Sequence, residues 1–400
     1  MTGTGPIFIS SDIFKDSGYA SGHPLAIPRV SLATDLCRAL GWLDGTNYRE
    51  SGPAAVDYLA RFHDRAYLDA LMAAERTEPD GDTKRRFNIG VNGNPIFPCM
   101  FRRPATACEG GRMAAKVLGA GGGPVFSPAG GQHHAMPGHA SGFCFLNEPA
   151  LSIGTLKDQG FGRIFYLDFD AHHGDGVEAA FAGDETVFTL SIHEAGRWPM
   201  DRDGDEGGRW PMDRDGDEGG PGTLNCGRAR ASLNLPAPKG LNDTEFAYLI
   251  DTVVLPTMAH FGPDAVYLQC GTDALADDLQ SKLALSNNAL WQGVAAVRDA
   301  APRLMVTGGG GYNPYAVARA WAGVWAVLGG FEIPERLPGA AEDLLRSVVW
   351  NHRLGREPKE EWLTSLADEP NEGTVRKSVR ELAGAASKNP SRLTALPTIS

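Results

Sequence analysis

The sequence predicts an α/β protein in which a parallel β-sheet carries helices on both faces, giving three layers. Along most of the chain, short runs of β-branched and aromatic residues alternate with segments whose apolar residues recur every three or four positions, as in helices. Glycine-rich connections, including Gly121–Gly123 and Gly308–Gly311, border several of these runs. Because ligands bind beyond the carboxyl ends of parallel strands, polar residues in such connections are the first candidates for a functional site.

The individual elements follow in chain order. The predicted strands are Pro6–Ile9, Pro124–Phe126, Arg163–Phe169, Thr186–Ile192, Ser232–Leu235, Ala265–Cys270 and Arg303–Thr307. The predicted helices are Val30–Leu43, Arg65–Glu75, Thr106–Leu118, Glu148–Asp158, Asp243–His260, Ala289–Ala300 and Pro314–Leu328. Residues 1–330 are expected to form a single domain, and residues 331–400 a peripheral extension packed on it, with one helical patch near Ala341–Trp350.

Charge and composition narrow the choice of partners. The 37 basic and 49 acidic residues give a net charge of −12, which argues against a nucleic-acid partner but is compatible with cationic ones. Met1–Phe14 lacks a basic start followed by an apolar stretch, and no run approaches the ~18 apolar residues that span a bilayer. A soluble, cytoplasmic protein without a membrane partner is therefore expected. The six cysteines form no CxxC pair, which favours reduced core thiols.

A candidate metal site lies at the ends of two predicted strands. Side chains two positions apart share a face of an extended strand, so Asp168, Asp170 and His172 are expected to point the same way. Asp273 follows the apolar run Ala265–Cys270, where an unpaired buried charge would be costly. Asp170, His172 and Asp273 would leave an open coordination position, and the set fits zinc as well as iron(II), manganese or cobalt. Ordinary structural hydrogen bonds are the alternative interpretation.

Two more predicted strand ends carry reactive side chains. The connection Gly130–Phe143 contains the adjacent pair His133 and His134. The run Gly308–Gly311 lets the backbone approach other groups closely and presents the hydroxyl of Tyr312. A surface pair of histidines and a tight turn with a packing aromatic are the alternatives for these two features.

Five motifs in chain order resemble the histone deacetylase family, nearest its bacterial acetoin-utilisation-type members. These motifs are Gly131–His134, Ala140–Asn147, Asp168–Gly176, Gln269–Asp273 and Gly308–Tyr312. The resemblance runs from about Pro6 to Leu328. It implies an arginase/deacetylase fold and a zinc-dependent hydrolase of N-acetyl amides, with acetyl-lysine as the expected substrate type. It also supports Asp170, His172 and Asp273 as the ligands of one zinc ion.

The resemblance assigns roles to the residues around the metal. His134 is expected to be the general base and His133 an electrostatic or proton-donating partner. Asp168 and Asp175 match the acids that orient the two imidazoles and fix their tautomers. Tyr312 would donate a hydrogen bond to the oxyanion that develops during amide hydrolysis.

The resemblance also implies a substrate tunnel and a second ion. Phe143 matches one wall of the tunnel, and Trp198 lies where the family usually has the opposing aromatic. Gly142 and Gly310 are assigned to the same substrate-binding surface. Simple core packing is the alternative for each aromatic. The resemblance alone implies a structural potassium ion near Asp168, Asp170, His172 and Ser191.

Other functions remain open at this stage. Protein-directed family members usually carry an acid on the loop before a Pro-aromatic step, whereas Val91–Pro95 offers only Asn92 and Asn94. Acetylpolyamines or other small amides are therefore the main alternative substrates. An arginase-like hydrolase would share the fold but needs further carboxylates for a second metal ion. A catalytically inactive module that binds acetylated partners is the alternative outside enzymes.

One segment is duplicated. Gly196–Gly207 is repeated letter for letter as Gly208–Gly219, and its Gly- and Asp-rich composition predicts a long mobile loop. The repeat offers two tryptophans, Trp198 and Trp210, and Trp198 is favoured for the tunnel because it is nearer the preceding strand. The acids of the second copy are expected to attract cationic substrates, and a passive insertion is the alternative.

Overall fold

The computed structural model describes residues 5–15, 19–20, 22–199 and 231–387. Its eight strands are β1 (Ile7–Ser10), β2 (Tyr48–Glu50), β3 (Val125–Ser127), β4 (Ile164–Asp168), β5 (Val187–Glu194), β6 (Ser232–Ala237), β7 (Ala265–Gln269) and β8 (Leu304–Thr307). They form one sheet in the order β2-β1-β3-β8-β7-β4-β5-β6, and every neighbouring pair is parallel. The predicted parallel sheet and its seven predicted strands are confirmed. The strand β2 was not predicted from the sequence; it is a three-residue strand at the edge of the sheet.

Helices occur throughout the described chain, between and after the strands. They are α1 (Val30–Ala39), α2 (Val56–Leu59), α3 (Arg65–Ala74), α4 (Gly81–Phe87), α5 (Arg102–Gly119), α6 (Glu148–Asp158), α7 (Asp175–Phe181), α8 (Asp243–Leu249), α9 (Leu255–Phe261), α10 (Asn287–Ala300), α11 (Pro314–Gly329), α12 (Gly339–Arg346), α13 (Arg353–Arg356), α14 (Glu360–Thr364) and α15 (Lys377–Ser387). Among the described residues, no helix combines the length and the apolar character needed to cross a membrane.

The single helix predicted over Asp243–His260 is wrong in one respect. A π-helical turn at Ile250–Val254 separates α8 from α9. Pro256 lies in the first turn of α9, and proline has no N–H and clashes with the carbonyl four residues before it in a regular α-helix. A wider turn just before the proline accommodates both effects.

The sheet is buried on both faces because its strands are continuously apolar. In β4, Phe165 and Leu167 pack in the core on one face, together with residues of α1, α10 and α11. Ile164 and Tyr166 pack on the opposite face, with residues of α5 and α6. This alternation divides each strand between two cores and makes the three layers that the sequence predicts.

The C-terminal extension contributes to one of these cores. Leu345, Trp362 and Val379 are buried in the same cluster as the helices α1 and α11. The helical patch predicted near Ala341–Trp350 corresponds to α12. The assignment of residues 331–400 to a separate extension remains a prediction. Four of the described cysteines are buried free thiols, Cys37, Cys108, Cys144 and Cys270, whereas Cys226 lies outside the described residues.

The register of the central strands brings four connections together. Asp168 of β4 pairs with Gln269 of β7, Gln269 pairs with Thr307 of β8, and Thr307 pairs with Ser127 of β3. Each of these four residues is the last of its strand. The connections that follow β3, β4, β7 and β8 therefore leave the sheet side by side. The five motifs that carry the family resemblance lie at the ends of these four strands or in the connections that follow them.

Candidate active site

Asp170, His172 and Asp273 lie together at this edge of the sheet. Each offers a ligand atom, and these atoms all lie within 4.8 Å of one another. His172 Nδ1 is 2.8 Å from Asp273 Oδ2 and 3.2 Å from Asp170 Oδ1. Both carboxylates are buried, and backbone N–H groups hold them: Ala171 donates to Asp273 Oδ1 at 2.9 Å. The three side chains therefore form a small cluster that already has the shape of a metal site.

The charge balance of the cluster calls for a cation. Burial opposes protonation of His172, but hydrogen bonds and attraction from Asp170 and Asp273 outweigh it and raise the pKa of His172 to about 10. Burial favours neutral Asp170, yet attraction to His133 and His172 holds its pKa well below the usual range. Burial and the neighbouring charge of Asp170 raise the pKa of Asp273. Two carboxylates and one imidazole are donors that a divalent metal would bind.

Each histidine of the adjacent pair is oriented by one aspartate. His133 donates from Nδ1 to Asp168 Oδ2 at 2.8 Å, and His134 donates from Nδ1 to Asp175 Oδ1 at 2.7 Å. The two rings are 3.9 Å apart between centroids, and both are buried. The hydrogen bonds engage Nδ1 of both rings, so Nε2 is the nitrogen left for chemistry.

The two histidines differ in their affinity for a proton. Burial lowers the pKa of His133, but the carboxylates of Asp168 and Asp170 outweigh it and raise the pKa to about 9. Burial and the charge of His133 lower the pKa of His134 to about 4, despite the opposing effect of Asp175. Near pH 7 the pair therefore combines a neutral imidazole with a protonated one.

Tyr312 and Gly310 lie in the connection after β8, beside the cluster of candidate metal ligands. The Tyr312 ring is buried and lies 6.3 Å from the ring of Phe143. No described residue provides a hydrogen-bond partner for its hydroxyl. A Cβ on Gly310 would lie 2.1 Å from Asp273 Oδ2, so only glycine fits there. Gly310 is predicted to contact substrate, and the structure places it directly against Asp273, a candidate metal ligand.

Phe143, Gly142 and Trp198 surround the entrance. Phe143 has φ of 66°, an unfavourable conformation for a non-glycine residue, and Asn94 Oδ1 accepts its N–H at 2.8 Å. Trp198 is 46% exposed and its ring lies 4.7 Å from that of His134. A Cβ on Gly142 would lie 2.6 Å from both His134 and Trp198. The two predicted wall residues thus both reach the site. Trp210 lies outside the described residues.

A cavity of about 130 Å³ joins these groups. Its lining includes Asp170, His172, the His133–His134 pair, Phe143 and Tyr312, and on the other side Arg29, Arg103 and Gln132. The guanidinium of Arg29 donates to Gly309 O and lies over the ring of Trp321. Its Nε is buried without a hydrogen-bond partner among the described residues. The cavity therefore has a cationic wall beside the candidate metal ligands.

The histone deacetylase domain family matches residues 23–328. The chain belongs to the histone deacetylase family. It is 32% identical to histone deacetylase 1 of Oryza sativa subsp. japonica over 80% of this chain and 59% of that protein. It is also 32% identical to histone deacetylase RPD3 of Saccharomyces cerevisiae over 83% of this chain and 73% of that protein. The chain thus spans about three fifths of the rice relative's length.

Solved structures of histone deacetylase homologues have the same fold. The crystal structure of such a homologue from Aquifex aeolicus superposes with a TM-score of 0.85 at 36% identity, covering 96% of this chain and 99% of that one. A homologue complexed with SAHA superposes with the same TM-score at 35% identity. The arginase/deacetylase fold expected for this histone deacetylase family member is confirmed.

The sequence reading of this family member missed a buried polar network behind the histidines. Tyr166 donates from its hydroxyl to Asp168 Oδ2 at 2.5 Å, and Gln269 Nε2 lies 2.9 Å from His133 Nδ1. Tyr166 precedes Asp168 by two residues on β4, and this spacing could have placed both on one face. Glu148 accepts from Gly131 N at 2.9 Å and from the Tyr267 hydroxyl at 2.6 Å. No pattern in the sequence distinguishes Glu148 from an exposed acid at a helix start.

Ser191, one of the residues predicted to surround a potassium ion, lies next to Asp168 in the sheet. Ser191 of β5 is the register partner of Asp168, and its hydroxyl lies 2.9 Å from His193 Nδ1. The ion itself remains a prediction.

Proposed function

We propose that this chain is a zinc-dependent deacetylase that hydrolyses the N-acetyl amides of lysine-type amines. One observation carries the proposal: a single cavity is lined by the candidate metal ligands, by both histidines and by Tyr312. Amide hydrolysis needs an activated water, a polarised carbonyl and a proton for the leaving amine. The groups around the cavity can meet each of these needs.

Asp170, His172 and Asp273 would hold one zinc ion. When bound, zinc supplies Lewis-acid chemistry that lowers the pKa of a water molecule and polarises a carbonyl group. Within residues 5–15, 19–20, 22–199 and 231–387, this is the one group of three or more His, Cys, Asp and Glu side chains placed to hold a metal ion. Metal stoichiometry distinguishes this mononuclear proposal from an arginase-like binuclear hydrolase, which would bind two metal ions per chain.

The two histidines would divide the proton transfers. Neutral His134, with Nδ1–H committed to Asp175, presents Nε2 as an acceptor for the proton of the attacking water. His133, whose pKa the carboxylates of Asp168 and Asp170 raise, would stabilise negative charge and supply a proton to the departing amine. Asp168 and Asp175 fix the two rings and thereby the direction of each transfer.

Tyr312 would stabilise the oxyanion. Burial and the charge of Asp273 raise the pKa of Tyr312 well above its usual range, so the phenol remains a hydrogen-bond donor. Its hydroxyl has no partner among the described residues and can therefore donate to the substrate oxygen. Such a donor acts most strongly when charge has built up, so it should affect turnover more than binding.

The entrance suits an alkyl chain that carries an acetyl group. Trp198 offers apolar ring surface beside His134, and Phe143 offers it beside Tyr312. These rings would cover the methylene groups of a lysine side chain. The loop 91–95 contains no carboxylate that could bind a peptide backbone, and Asn94 is buried with its Oδ1 accepting the N–H of Phe143. This observation favours acetylpolyamines or other small acetylated amines as the second candidate substrate class.

Arg29, on the cationic wall of the cavity, would bind the acetate product. Hydrolysis releases an acetate ion, and the cavity places Arg29, with its unpartnered Nε, beside the site. A buried guanidinium hydrogen-bonds well to a carboxylate. We therefore expect the acetyl methyl and the leaving acetate to occupy the inner part of the cavity.

A substrate panel tests the proposal. Protein with one zinc ion per chain is assayed for acetate release from an acetyl-lysine peptide, an acetylpolyamine and a longer acyl-lysine peptide, with His134→Ala as the inactive control. The proposal predicts acetate release from at least one acetylated amine and none from the control. Zinc-loaded protein that binds these amides without hydrolysing any of them would instead support an acetyl-binding module.

A further inference from the structure

The C-terminal segment contacts the connection that follows β7, the same connection that carries Asp273. Trp362 of α14 donates its indole Nε1–H to Asp277 Oδ2 at 2.8 Å, and Lys359 Nζ lies 2.9 Å from Asp277 Oδ1. Trp362 is 1% exposed, whereas the Lys359 side chain is 49% exposed. Because exposed ion pairs contribute little, the indole hydrogen bond is the contact that can fix Asp277. Trp362 lies beyond residue 328, where the family match ends.

Asp277 and its neighbour Asp278 in turn hold the backbone at Tyr312. Asp278 Oδ2 accepts the N–H of Tyr312 at 2.6 Å. The main-chain oxygen of Asp277 accepts from Asn313 Nδ2 at 3.1 Å. Asn313 is fully buried, and its Oδ1 accepts the N–H of Tyr315 at 3.1 Å, which caps α11. Tyr312 is therefore anchored at its own backbone and at the residue after it.

The glycine run on the other side of Tyr312 is held through backbone groups alone: Gly310 N donates to Asp170 Oδ2 at 2.6 Å, and Gly310 O accepts the N–H of Thr272 at 2.9 Å. Four glycines precede it, and Gly309 and Gly311 have φ of 159° and 136°. A run of glycines has no side chains to pack and the greatest backbone freedom. The contacts of Asp278 with Tyr312 N and of Asn313 with Asp277 therefore fix the backbone at and after Tyr312, in addition to the anchorage of Gly310.

The helix α14 is attached firmly enough to act as a support. The Trp362 ring stacks on Tyr315 at 5.5 Å between centroids and 21° between planes. Arg319 of α11 is buried and donates to Ser365 O at 2.7 Å and to Asp368 Oδ1 at 2.6 Å. The support for Asp277 and the helix that begins after Tyr312 thus belong to one packed unit.

We propose that Trp362 is a positioning residue for Tyr312, acting through Asp277 and its hydrogen bond to Asn313. The inference rests on the proposed function, in which Tyr312 stabilises the oxyanion. It assigns to the C-terminal segment a part in catalysis, since a catalytic group must be held by a supporting shell to keep its productive geometry.

The test compares two tryptophans of the same segment. Trp362→Phe removes the indole N–H and keeps a ring against Tyr315. Trp350→Phe is the matched control, because Trp350 also packs on Tyr315, at 6.2 Å, and its indole N–H has no hydrogen-bond partner among the described residues. In the zinc-loaded full chain, we expect Trp362→Phe to lower kcat on an acetyl-lysine peptide about 10-fold. This loss is smaller than the roughly 10²-fold loss that follows when a catalytic group is displaced by about 1 Å.

KM should change less than about twofold and the zinc content should remain one per chain, since neither binding nor the metal ligands depend on Trp362. The control should keep kcat within about twofold of the starting protein. In a Tyr312→Phe background, Trp362→Phe should cause no further loss, because the hydroxyl that it positions is already absent.

Three results would overturn the inference: an unchanged kcat in Trp362→Phe, an equal loss in Trp350→Phe, or the same fold-loss with and without the Tyr312 hydroxyl. Each would leave the proposed function intact. Undiminished turnover in Tyr312→Phe alone would refute the role of Tyr312 in the proposed function and, with it, this inference.

Discussion

A methyl group added to Gly310 would collide with the carboxylate of Asp273. Its Cβ would lie 2.1 Å from Asp273 Oδ2, 2.6 Å from Asp273 Cγ and 3.0 Å from Asp170 Oδ2. Gly310 is not among the residues with positive φ, so left-handed backbone strain does not add to the collision. Gly310 N donates to Asp170 Oδ2 at 2.6 Å, which ties the backbone to the same cluster. The collision with the candidate ligands is therefore the main expected effect of Gly310→Ala.

The distances set the size of that effect. Real Cβ contacts under 3.0 Å do not occur, so Asp273 Oδ2 would have to move by about 1 Å, several times the ~0.2 Å by which ligand distances vary in genuine metal sites. Asp273 is fully buried and accepts the N–H of Ala171, so it has little room to adjust. We expect zinc affinity to fall at least about 100-fold, the upper end of the loss from removing a contact that merely supports a ligand.

The measurement is the zinc dissociation constant, obtained by competition with a chromophoric chelator, together with zinc content after dialysis. Gly339→Ala is the matched control, because its Cβ would meet nothing within 4 Å and its φ is not positive. The control should bind zinc as the starting protein does. If Gly310→Ala kept one zinc per chain with unchanged affinity, the placement of the metal between Asp170 and Asp273 would be refuted.

Three further predictions concern the ligands, the oxyanion donor and one buried histidine. Asp170→Ala and His172→Ala should each lose zinc and activity together, because each removes one of three protein ligands; full zinc occupancy in either variant would contradict the ligand assignment. Tyr312→Phe should keep zinc but lower kcat by about 10²–10³, the range for one oxyanion donor; a change confined to KM would place Tyr312 in the binding wall instead. His63 is 2% exposed, and its burial lowers its pKa to about 4, against an ordinary value of about 6.5. Between these pH values the unfolded chain binds more protons, so the free energy of unfolding should fall as pH drops from about 6.5 to 4, by up to ~3 kcal/mol. Urea unfolding of His63→Gln should lack this component, and an identical pH dependence in both proteins would exclude His63 as its source.

The central strands and the metal ligands were predictable because their signals are local. β4 and β7 are covered on both faces, so their sequences are unbroken apolar runs. Asp170 and Asp273 are conspicuous because they are charged residues that follow these apolar runs closely. The edge strand β2 is three residues long and only partly buried, so it leaves no comparable apolar pattern. The π-turn before Pro256 was missed because periodicity alone does not distinguish it from a continuous helix.

The supporting residues were less predictable because their partners are distant in sequence. Glu148 meets Gly131 and Tyr267 only after folding, with Tyr267 119 residues away. Trp362 meets Asp277 from 85 residues away, and its sequence context resembles an ordinary amphipathic turn. Such contacts depend on how helices pack over the sheet, which a one-dimensional pattern does not determine. The duplicated copy Gly208–Gly219 lies outside the described residues, and its effect on cationic substrates remains a prediction.

Zinc titration of metal-free protein tests the central claim most directly. Protein stripped of metal by chelation is assayed for acetate release from an acetylated amine as zinc is added in known fractions of an equivalent. The proposed single site of Asp170, His172 and Asp273 predicts no activity without metal and a linear rise that ends at one zinc ion per chain. Activity in the metal-free protein, or a requirement for two ions per chain, would contradict it.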